Sequence, residues 1–420
     1  MSIQTTMKQN DGIFHGQLQT WTLAAAQLVS WGAVYYAFSL FVVPMESAMG
    51  WSRTATDAAL SVGLLVSGVA AWPIGIWIDH GHGRKVMCAG AVLASAMLVL
   101  WSQAHSLVTL FVAWTGLGVA MAATLYDPVF AIVTRNFPDS FRKRITLITL
   151  VGGFASTIFI PLTHSLVDML GWREALLALA SINLAICLPF NALAIGRDRR
   201  HAGRQEERSA TRAVNAAATQ RALRTPTFWA LAACFTAYYA TFAALTFHLV
   251  PLMAARHVAP SLIVATMAVI GPAQVLARIL WFTIGRTVRP STMGIVITTA
   301  FPASVVVLMF AGTSGALLIL FAIVYGGANG MMTILRGTIV QDVMWTEGYG
   351  AVSGLLSMPS NIAKGIAPIS AAAIWATGHN YVPVEWTILV VSVVSAAAFV
   401  VAMRVSRDAG RQRCVSMSSG

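Results

Sequence analysis

Long apolar runs dominate this sequence. Twelve runs of about 20 residues or more, each poor in charged side chains, follow one another along its 420 residues. A hydrocarbon core about 30 Å thick is crossed by about 20 helical residues, and a helix satisfies its own backbone hydrogen bonds in lipid. The predicted spans are 21–44, 57–79, 86–104, 106–134, 144–169, 173–195, 227–253, 261–285, 291–312, 314–341, 350–377 and 383–404. The sequence therefore predicts an all-α polytopic membrane protein, with the lipid bilayer as a partner.

The composition excludes several other classes. Charged residues make up 10% of the chain, against about 25% in soluble domains. The net charge of +12 sits in short segments between apolar runs, so we expect no nucleic-acid partner. The four cysteines are scattered without CxxC spacing, so no metal site, disulfide framework or cofactor is predicted.

The distribution of basic residues predicts the orientation of the chain. An even number of spans places both termini on one side of the membrane. If that side is cytoplasmic, only Arg53, Arg173 and Arg256 of the 27 Lys and Arg residues lie outside. This asymmetry follows the positive-inside rule. The first run is expected to be a retained span, because the residues before it lack a basic n-region and a cleavage site.

A polar segment divides the spans six and six. Residues 196–226 have the charge and small-residue content of a cytoplasmic linker. The predicted domains are therefore an N-terminal six-helix bundle (1–195), this linker, and a C-terminal six-helix bundle with a cytoplasmic tail (227–420). The halves echo each other faintly, which either reflects duplication or is coincidence.

A short motif lies between the second and third spans. The stretch GIWIDHGHGRKVM contains a glycine, an acid and a Gly-Arg-Lys triplet at Gly75, Asp79, Gly83, Arg84 and Lys85. It resembles the loop signature of the major facilitator superfamily, with one extra residue between the acid and the triplet. The resemblance implies two pseudo-symmetric six-helix bundles that work by alternating access. We expect Asp79 to cap the cytoplasmic N-terminus of span eleven as part of a gate. The alternative is a plain basic turn.

Two cations lie within spans, Arg278 in GPAQVLAR and Lys364 in SMPSNIAKGIAPIS. Charged side chains in lipid are costly and mark functional sites by default. The alternative for Arg278 is hydrogen bonding to helix carbonyls. Lys364 lies roughly 20 Å from either end of its span, too far for its ammonium to reach water. We therefore expect both cations to bind an anionic substrate, helped by Gln274 one turn before Arg278.

This pair of cations is similar to the arrangement in the oxalate/formate antiporter. The eighth-span arginine is similar in position to that of monocarboxylate transporters, whose animal branch carries Asp where Gln274 stands. These resemblances, with the stretch WGAVYYAFSLFVVPM, imply a bacterial inner-membrane transporter of small organic anions, with monocarboxylates as the expected class, that acts as a monomer. The hydroxyls of Tyr36 and Tyr325 are candidates for substrate binding, with ordinary packing as the alternative.

Asp127, in ATLYDPVFAIVTR of span four, is the deepest acid in the spans. We expect it to couple transport to protons. It could instead pair with Arg84 or another basic group, and two cations could exchange one anion for another without a titrating acid. Drug efflux is a further alternative, although a basic cavity disfavours cationic drugs. A sensor is less expected, and an enzyme is not predicted because no GxxxxGK[ST], HExxH or GxSxG motif occurs.

Overall fold

The structure is a computed structural model that describes residues 3–195, 205–284, 288–345 and 348–418, with side chains for 16–38, 40–52, 55–195, 213–283, 288–345 and 348–407. Helices and short connections make up these residues, and no strand occurs among them. The first half contains α1 (Ile3–Ser30), α2 (Phe38–Met49), α3 (Arg53–Trp77), α4 (Gly83–Ser102), α5 (Leu107–Thr124), α6 (Tyr126–Asn136), α7 (Phe141–Gly152), α8 (Ala155–Leu170) and α9 (Trp172–Ala194). Two π-helical turns, π1 (Trp31–Tyr36) and π2 (Ile78–His82), interrupt it. The second half contains α10 (Gln205–Leu223), α11 (Pro226–Ala255), α12 (Pro260–Ile284), α13 (Pro290–Ala311), α14 (Gly315–Val343), α15 (Tyr349–Ala376) and α16 (Val382–Ser418).

The predicted spans correspond to these helices. Ten helical stretches of the described chain are long and apolar enough to cross a membrane. One of them, 48 residues long, runs through α3, π2 and α4 and therefore contains two predicted spans. The remaining predicted span is α15, whose Ser, Gly, Pro, Asn and Lys residues lower its hydropathy.

The chain contacts divide the molecule into two units. Unit 1 contains Met1–Gly63 and Ile76–Arg212, and unit 2 contains Leu64–Gly75 and Ala213–Gly420. Part of α3 thus clusters with the second half of the chain. The domain boundaries predicted above stay a prediction, and residues 196–204 of the predicted linker lie outside the described residues. Residues further along that segment form α10.

Each unit has its own core. In unit 1, α4 packs on α5 and α9, and a cluster of Phe38, Trp101 and Trp114 is buried among them. In unit 2, α11 packs on α15 and α16, while α12 and α13 pack on α14. Large apolar side chains also point outwards, as at Met169 and Phe310, which are 81% and 79% exposed. Outward apolar surface on many helices is what a lipid environment requires.

Span four, predicted as one run from 106 to 134, is broken. Leu125 has an extended backbone (φ −78°, ψ −158°) between α5 and α6. Pro128 has no N–H, so it cannot bond the carbonyl of Thr124 in a continuous helix. That carbonyl instead accepts a hydrogen bond of 2.5 Å from Nε2 of Gln27 on α1. A neighbouring helix thus satisfies the group that proline frees.

The extra residue in the loop motif falls in π2, where the chain kinks between α3 and α4. Inside π2, Gly81 has φ +84°, a left-handed conformation that glycine adopts without steric cost. The triplet that begins with Gly83 can therefore start α4 as a regular helix despite the longer spacing.

Candidate functional site

Lys364 lies in the middle of α15, between two prolines that interrupt its hydrogen bonding. Pro359 and Pro368 both lie inside α15. Pro368 has no N–H, so it cannot donate the usual helical hydrogen bond to the carbonyl of Lys364. The Lys364 side chain is half-buried, and its Nζ donates a hydrogen bond to Oδ1 of Asn361 at 3.3 Å. The same Nζ lies 4.1 Å from the ring centroid of Tyr239 on α11, within cation–π range.

Arg278 is buried between α12 and α14. Its side chain is 4% exposed, and its Nε donates a hydrogen bond of 3.0 Å to the carbonyl of Gly330. This contact agrees with the expectation that helix carbonyls could bind Arg278. It uses one of the five guanidinium donors and fixes the plane of the fork. The arginine is thus oriented by the backbone of α14 and does not face lipid.

Two glycines of α14 let α12 approach closely enough for this contact. A Cβ at position 326 would lie 2.6 Å from the carbonyl oxygen of Ile270. A Cβ at position 330 would lie 2.6 Å from the carbonyl oxygen of Gln274. Small residues four apart permit such close packing of membrane helices. The backbone of Gln274 therefore lies against α14, one turn before Arg278, and its side chain is half-buried.

Tyr325 lies in the aromatic core of unit 2. It is 2% exposed and its ring stacks near those of Phe242, Phe301 and Phe321, with centroid distances of 6.3, 5.4 and 5.3 Å. Its hydroxyl lies 3.4 Å from Oγ1 of Thr246. These contacts are those of a packed core residue, the alternative given for the tyrosines above. Its binding role stays a prediction.

Tyr36 and Asp127 belong to unit 1. Tyr36 ends π1, and its ring lies 6.0 Å from Trp31 and 5.4 Å from Tyr35. The ring of Tyr126 lies 5.0 Å from Trp31 in the same aromatic cluster. Asp127 follows Tyr126 in the first turn of α6, directly after the break in span four, and its side chain is half-buried. An acid in the first turn complements the exposed N–H groups of a helix.

The loop motif lies at the end of α3, in π2 and at the start of α4. Gly75 packs so closely on α15 that a Cβ there would collide with the carbonyl oxygen of Gly350. Nη1 of Arg135 donates hydrogen bonds of 2.9 and 3.1 Å to the carbonyls of Ile78 and Asp79. Arg135 thereby ties the end of α6 to π2. In the first turn of α4, Gly83 is buried, Arg84 is half-buried and Lys85 is exposed. The gate role of Asp79 stays a prediction.

The sequence interpretation missed Arg336 and Tyr239, which lie near Lys364. Arg336 on α14 is only 8% exposed, and its Nη2 donates a hydrogen bond to Oγ of Ser357 on α15. Its Cζ lies 5.2 Å from the ring centroid of Tyr239, the ring that also faces Lys364. Arg336 was counted among the basic residues at the membrane border. Its place within the apolar run MMTILRGTIV was the available signal.

Curated proteins similar to this chain are transporters. Monocarboxylate transporter 11 of Mus musculus is 32% identical over 173 residues, which are 39% of this chain and 37% of that protein. Monocarboxylate transporter 12 of Xenopus laevis is 31% identical over 163 residues, 37% of this chain and 34% of that protein. The uncharacterized MFS-type transporter YcxA of Bacillus subtilis is 21% identical over 156 residues, 36% of this chain and 38% of that protein. The matched region thus spans little more than a third of each relative.

Solved structures resemble the whole chain. The proton:xylose symporter XylE, bound to 6-bromo-6-deoxy-D-glucose, has a TM-score of 0.69 at 10% identity, over 93% of this chain and 96% of that one. The human organic anion transporter MFSD10 has a TM-score of 0.62 at 16% identity, over 94% and 97%. At these identities the likeness shows the fold alone, and it confirms the predicted fold class.

A family model described as Major Facilitator Superfamily matches residues 23–368. This region begins in the first predicted span and ends in α15, so it includes the loop motif and both cations predicted from the sequence. The match covers most of the chain. The chain therefore belongs to the major facilitator superfamily.

Proposed function

We propose that this multi-pass membrane protein is a secondary active transporter of small organic anions, with monocarboxylates as the expected class. It would act by alternating access as a monomer in a bacterial inner membrane, with both termini in the cytoplasm. Membership of the superfamily supports transport rather than catalysis. The relatives named monocarboxylate transporters support the substrate class over the third of the chain that they match.

The observation that carries this proposal is the half-buried ammonium of Lys364 in the middle of α15. Lys364 lies about 22 Å from the start of α15 along the helix axis. Burying a cation at that depth costs free energy, so its presence there indicates a functional role. Its contacts with the amide oxygen of Asn361 and the ring of Tyr239 orient the ammonium. A carboxylate is the ligand that such a cation would bind most strongly.

Arg278 and Gln274 supply the second part of the proposed site. A guanidinium binds a carboxylate through two parallel hydrogen bonds, and its bond to Gly330 holds the fork in one orientation. Gln274 lies one turn earlier on the same face of α12 and could donate to the same anion. Tyr36 and Tyr325 remain candidate ligands, supported by their hydroxyls beside apolar surface.

Proton coupling through Asp127 is the proposed energy source. Its place directly after a helix break supports this role, because interrupted helices form the ion and substrate sites of many secondary transporters. Anion exchange is the second candidate. It is favoured by the basic side chains of unit 2, which could release one anion as another binds. Efflux of cationic drugs is disfavoured by the same positive charge.

The test is uptake by purified protein in proteoliposomes. We expect saturable uptake of at least one of ¹⁴C-labelled formate, acetate, pyruvate, L-lactate and oxalate, stimulated by an inwardly directed proton gradient. Protein-free liposomes provide the background. Uptake of a cationic drug or a neutral sugar, with none of the five anions transported, would overturn the proposal.

A further inference from the structure

One aromatic ring in unit 2 faces two cations. The ring centroid of Tyr239 lies 4.1 Å from Nζ of Lys364 and 5.2 Å from Cζ of Arg336. Both distances fall within the range of about 6 Å in which a cation is attracted to an aromatic face. The two positive centres are therefore separated by at most the sum of these two distances. Tyr239 is half-buried on α11, and it joins a side chain of α14 to one of α15.

The two cations also contact neighbouring positions on one face of α15. Arg336 donates to the hydroxyl of Ser357, and Lys364 donates to the amide oxygen of Asn361. Ser357 and Asn361 are four residues apart, so these contacts lie about 6 Å apart along the helix. Ser357 is the nearer of the two to Tyr349, where α15 begins. The two cations thus contact successive turns of α15.

Both cations are close enough to attract the same anion. Two like charges at this separation repel each other in a medium of low dielectric constant. The Tyr239 ring and the Ser357 hydroxyl both contact the Arg336 guanidinium and help to hold it in place. A carboxylate near either cation would be attracted by both, so it could move between them without leaving a favourable potential.

We propose that Arg336 forms a second carboxylate-binding position, one helical turn from Lys364 towards the α14–α15 connection, and that Tyr239 positions both cations. The transported anion passes between Lys364 and Arg336 during each cycle. This inference rests on the proposed function and names a step within it. Arg336 therefore sets the rate of exchange, while Lys364 sets the affinity of the deeper position.

The variants separate rate from affinity. Arg336→Gln should lower the rate of counterflow, measured with the five labelled carboxylates, at least about tenfold, because a charged hydrogen bond to the anion is lost. The dissociation constant of the same anion, measured by equilibrium binding to purified protein, should stay within about threefold. Tyr239→Phe keeps the ring face and should behave like the wild type, whereas Tyr239→Leu should slow exchange.

Arg221→Gln is the matched control. Arg221 lies 4.3 Å from the ring centroid of Trp345, so it also makes a cation–π contact, but it is exposed on α10. Its loss should leave both exchange and binding unchanged. A purely structural Arg336 would behave differently, because its loss would lower the melting temperature and weaken rate and binding together.

The outcomes decide the inference. Slow exchange with retained binding in Arg336→Gln supports it. Exchange at the wild-type rate, or a parallel loss of rate and binding, overturns it while the proposed function stands. If wild-type protein transports none of the five anions, the proposed function fails and this inference fails with it. If Arg336→Gln does not fold, Tyr239→Leu against Tyr239→Phe decides, and equal exchange by these two variants overturns the positioning role.

Discussion

At the residue scale, the cations of unit 2 are oriented mainly by groups whose positions are fixed. Arg278 donates to a backbone carbonyl, and Lys364 contacts an amide oxygen and a ring. Fixed contacts of this kind prepare a site for its ligand, because less conformational freedom is lost when the ligand binds. The two residues are therefore expected to respond strongly even to conservative substitution.

Replacement of Arg278 by lysine tests this expectation. Arg278→Lys keeps the charge but loses both the Nε bond to Gly330 and the planar fork, so carboxylate uptake should fall at least about tenfold. Initial rates in proteoliposomes measure the effect. Arg404→Lys, at an exposed position of α16, is the matched control and should keep wild-type uptake. Equal uptake by the two variants would remove Arg278 from the site.

Of the cations Arg278, Lys364 and Arg336 in unit 2, the sequence interpretation singled out the first two and missed the third. Lys364 stood out because long apolar stretches surround it on both sides, and Arg278 because it lies within the predicted span 261–285. Arg336 lies near the end of α14 at Val343 and was assigned to the membrane border, although Arg278 lies as near the end of α12 at Ile284. Burial of Arg336 depends on Tyr239 and Ser357, which come from other helices. No local pattern specifies such contacts.

At the element scale, the packing of α12 on α14 depends on glycine. Gly330→Ala should destabilise the protein by about 1–3 kcal/mol, because the new Cβ would lie 2.6 Å from the carbonyl oxygen of Gln274. The change would also displace the carbonyl that holds Arg278. Thermal unfolding of the purified protein measures the loss.

Gly327→Ala is the control for this substitution. A Cβ at position 327 would lie 3.7 Å from that of Ala277, an ordinary contact, so stability should be unchanged or slightly raised. Equal melting temperatures for the Gly330→Ala and Gly327→Ala variants would contradict the close approach of α12 and α14.

The glycine of the loop motif makes a similar contact between α3 and α15. Gly75→Ala should lower the melting temperature and slow exchange, because any Cβ would collide with the carbonyl of Gly350 and push the helices apart. Gly271→Ala is the control, since its Cβ would meet no atom within 4 Å. If the two alanine variants melt and exchange alike, the motif glycine is not needed for packing.

Interruptions of the helices were the least predictable elements. The apolar pattern from 106 to 134 is continuous, so hydrophobicity alone gives no sign of the break. The break depends on Pro128 and on Gln27. Gln27 lies about a hundred residues earlier in the chain, and its amide N–H donates to the Thr124 carbonyl. Proline marked a candidate interruption, but the partner that stabilises it is a tertiary contact.

At the scale of the whole molecule, the twelve spans were predictable because lipid imposes one requirement on every segment. Each backbone must satisfy its own hydrogen bonds across the hydrocarbon core, so long apolar runs become helices. The pairing of helices within each unit was not predictable in this way, since it depends on small residues and on polar contacts between distant parts of the chain.

Coupling is also a property of the whole molecule. Asp127→Asn should abolish accumulation of carboxylate against its gradient when a proton gradient is applied, because the amide cannot carry a proton between the two sides. Counterflow of preloaded substrate should remain, since that exchange needs no net proton movement. Full gradient-driven accumulation by the variant would show that Asp127 is structural and would favour anion exchange.

Counterflow of a labelled carboxylate tests the central claim most directly. Wild-type protein, Lys364→Gln and Arg404→Gln are reconstituted side by side, preloaded with unlabelled anion and given the labelled one outside. The account predicts rapid exchange by wild type and Arg404→Gln, and exchange by Lys364→Gln near that of protein-free liposomes, because the deep cation is lost. Exchange by Lys364→Gln at the wild-type rate, from folded protein, would contradict the proposal that this half-buried lysine binds the transported anion.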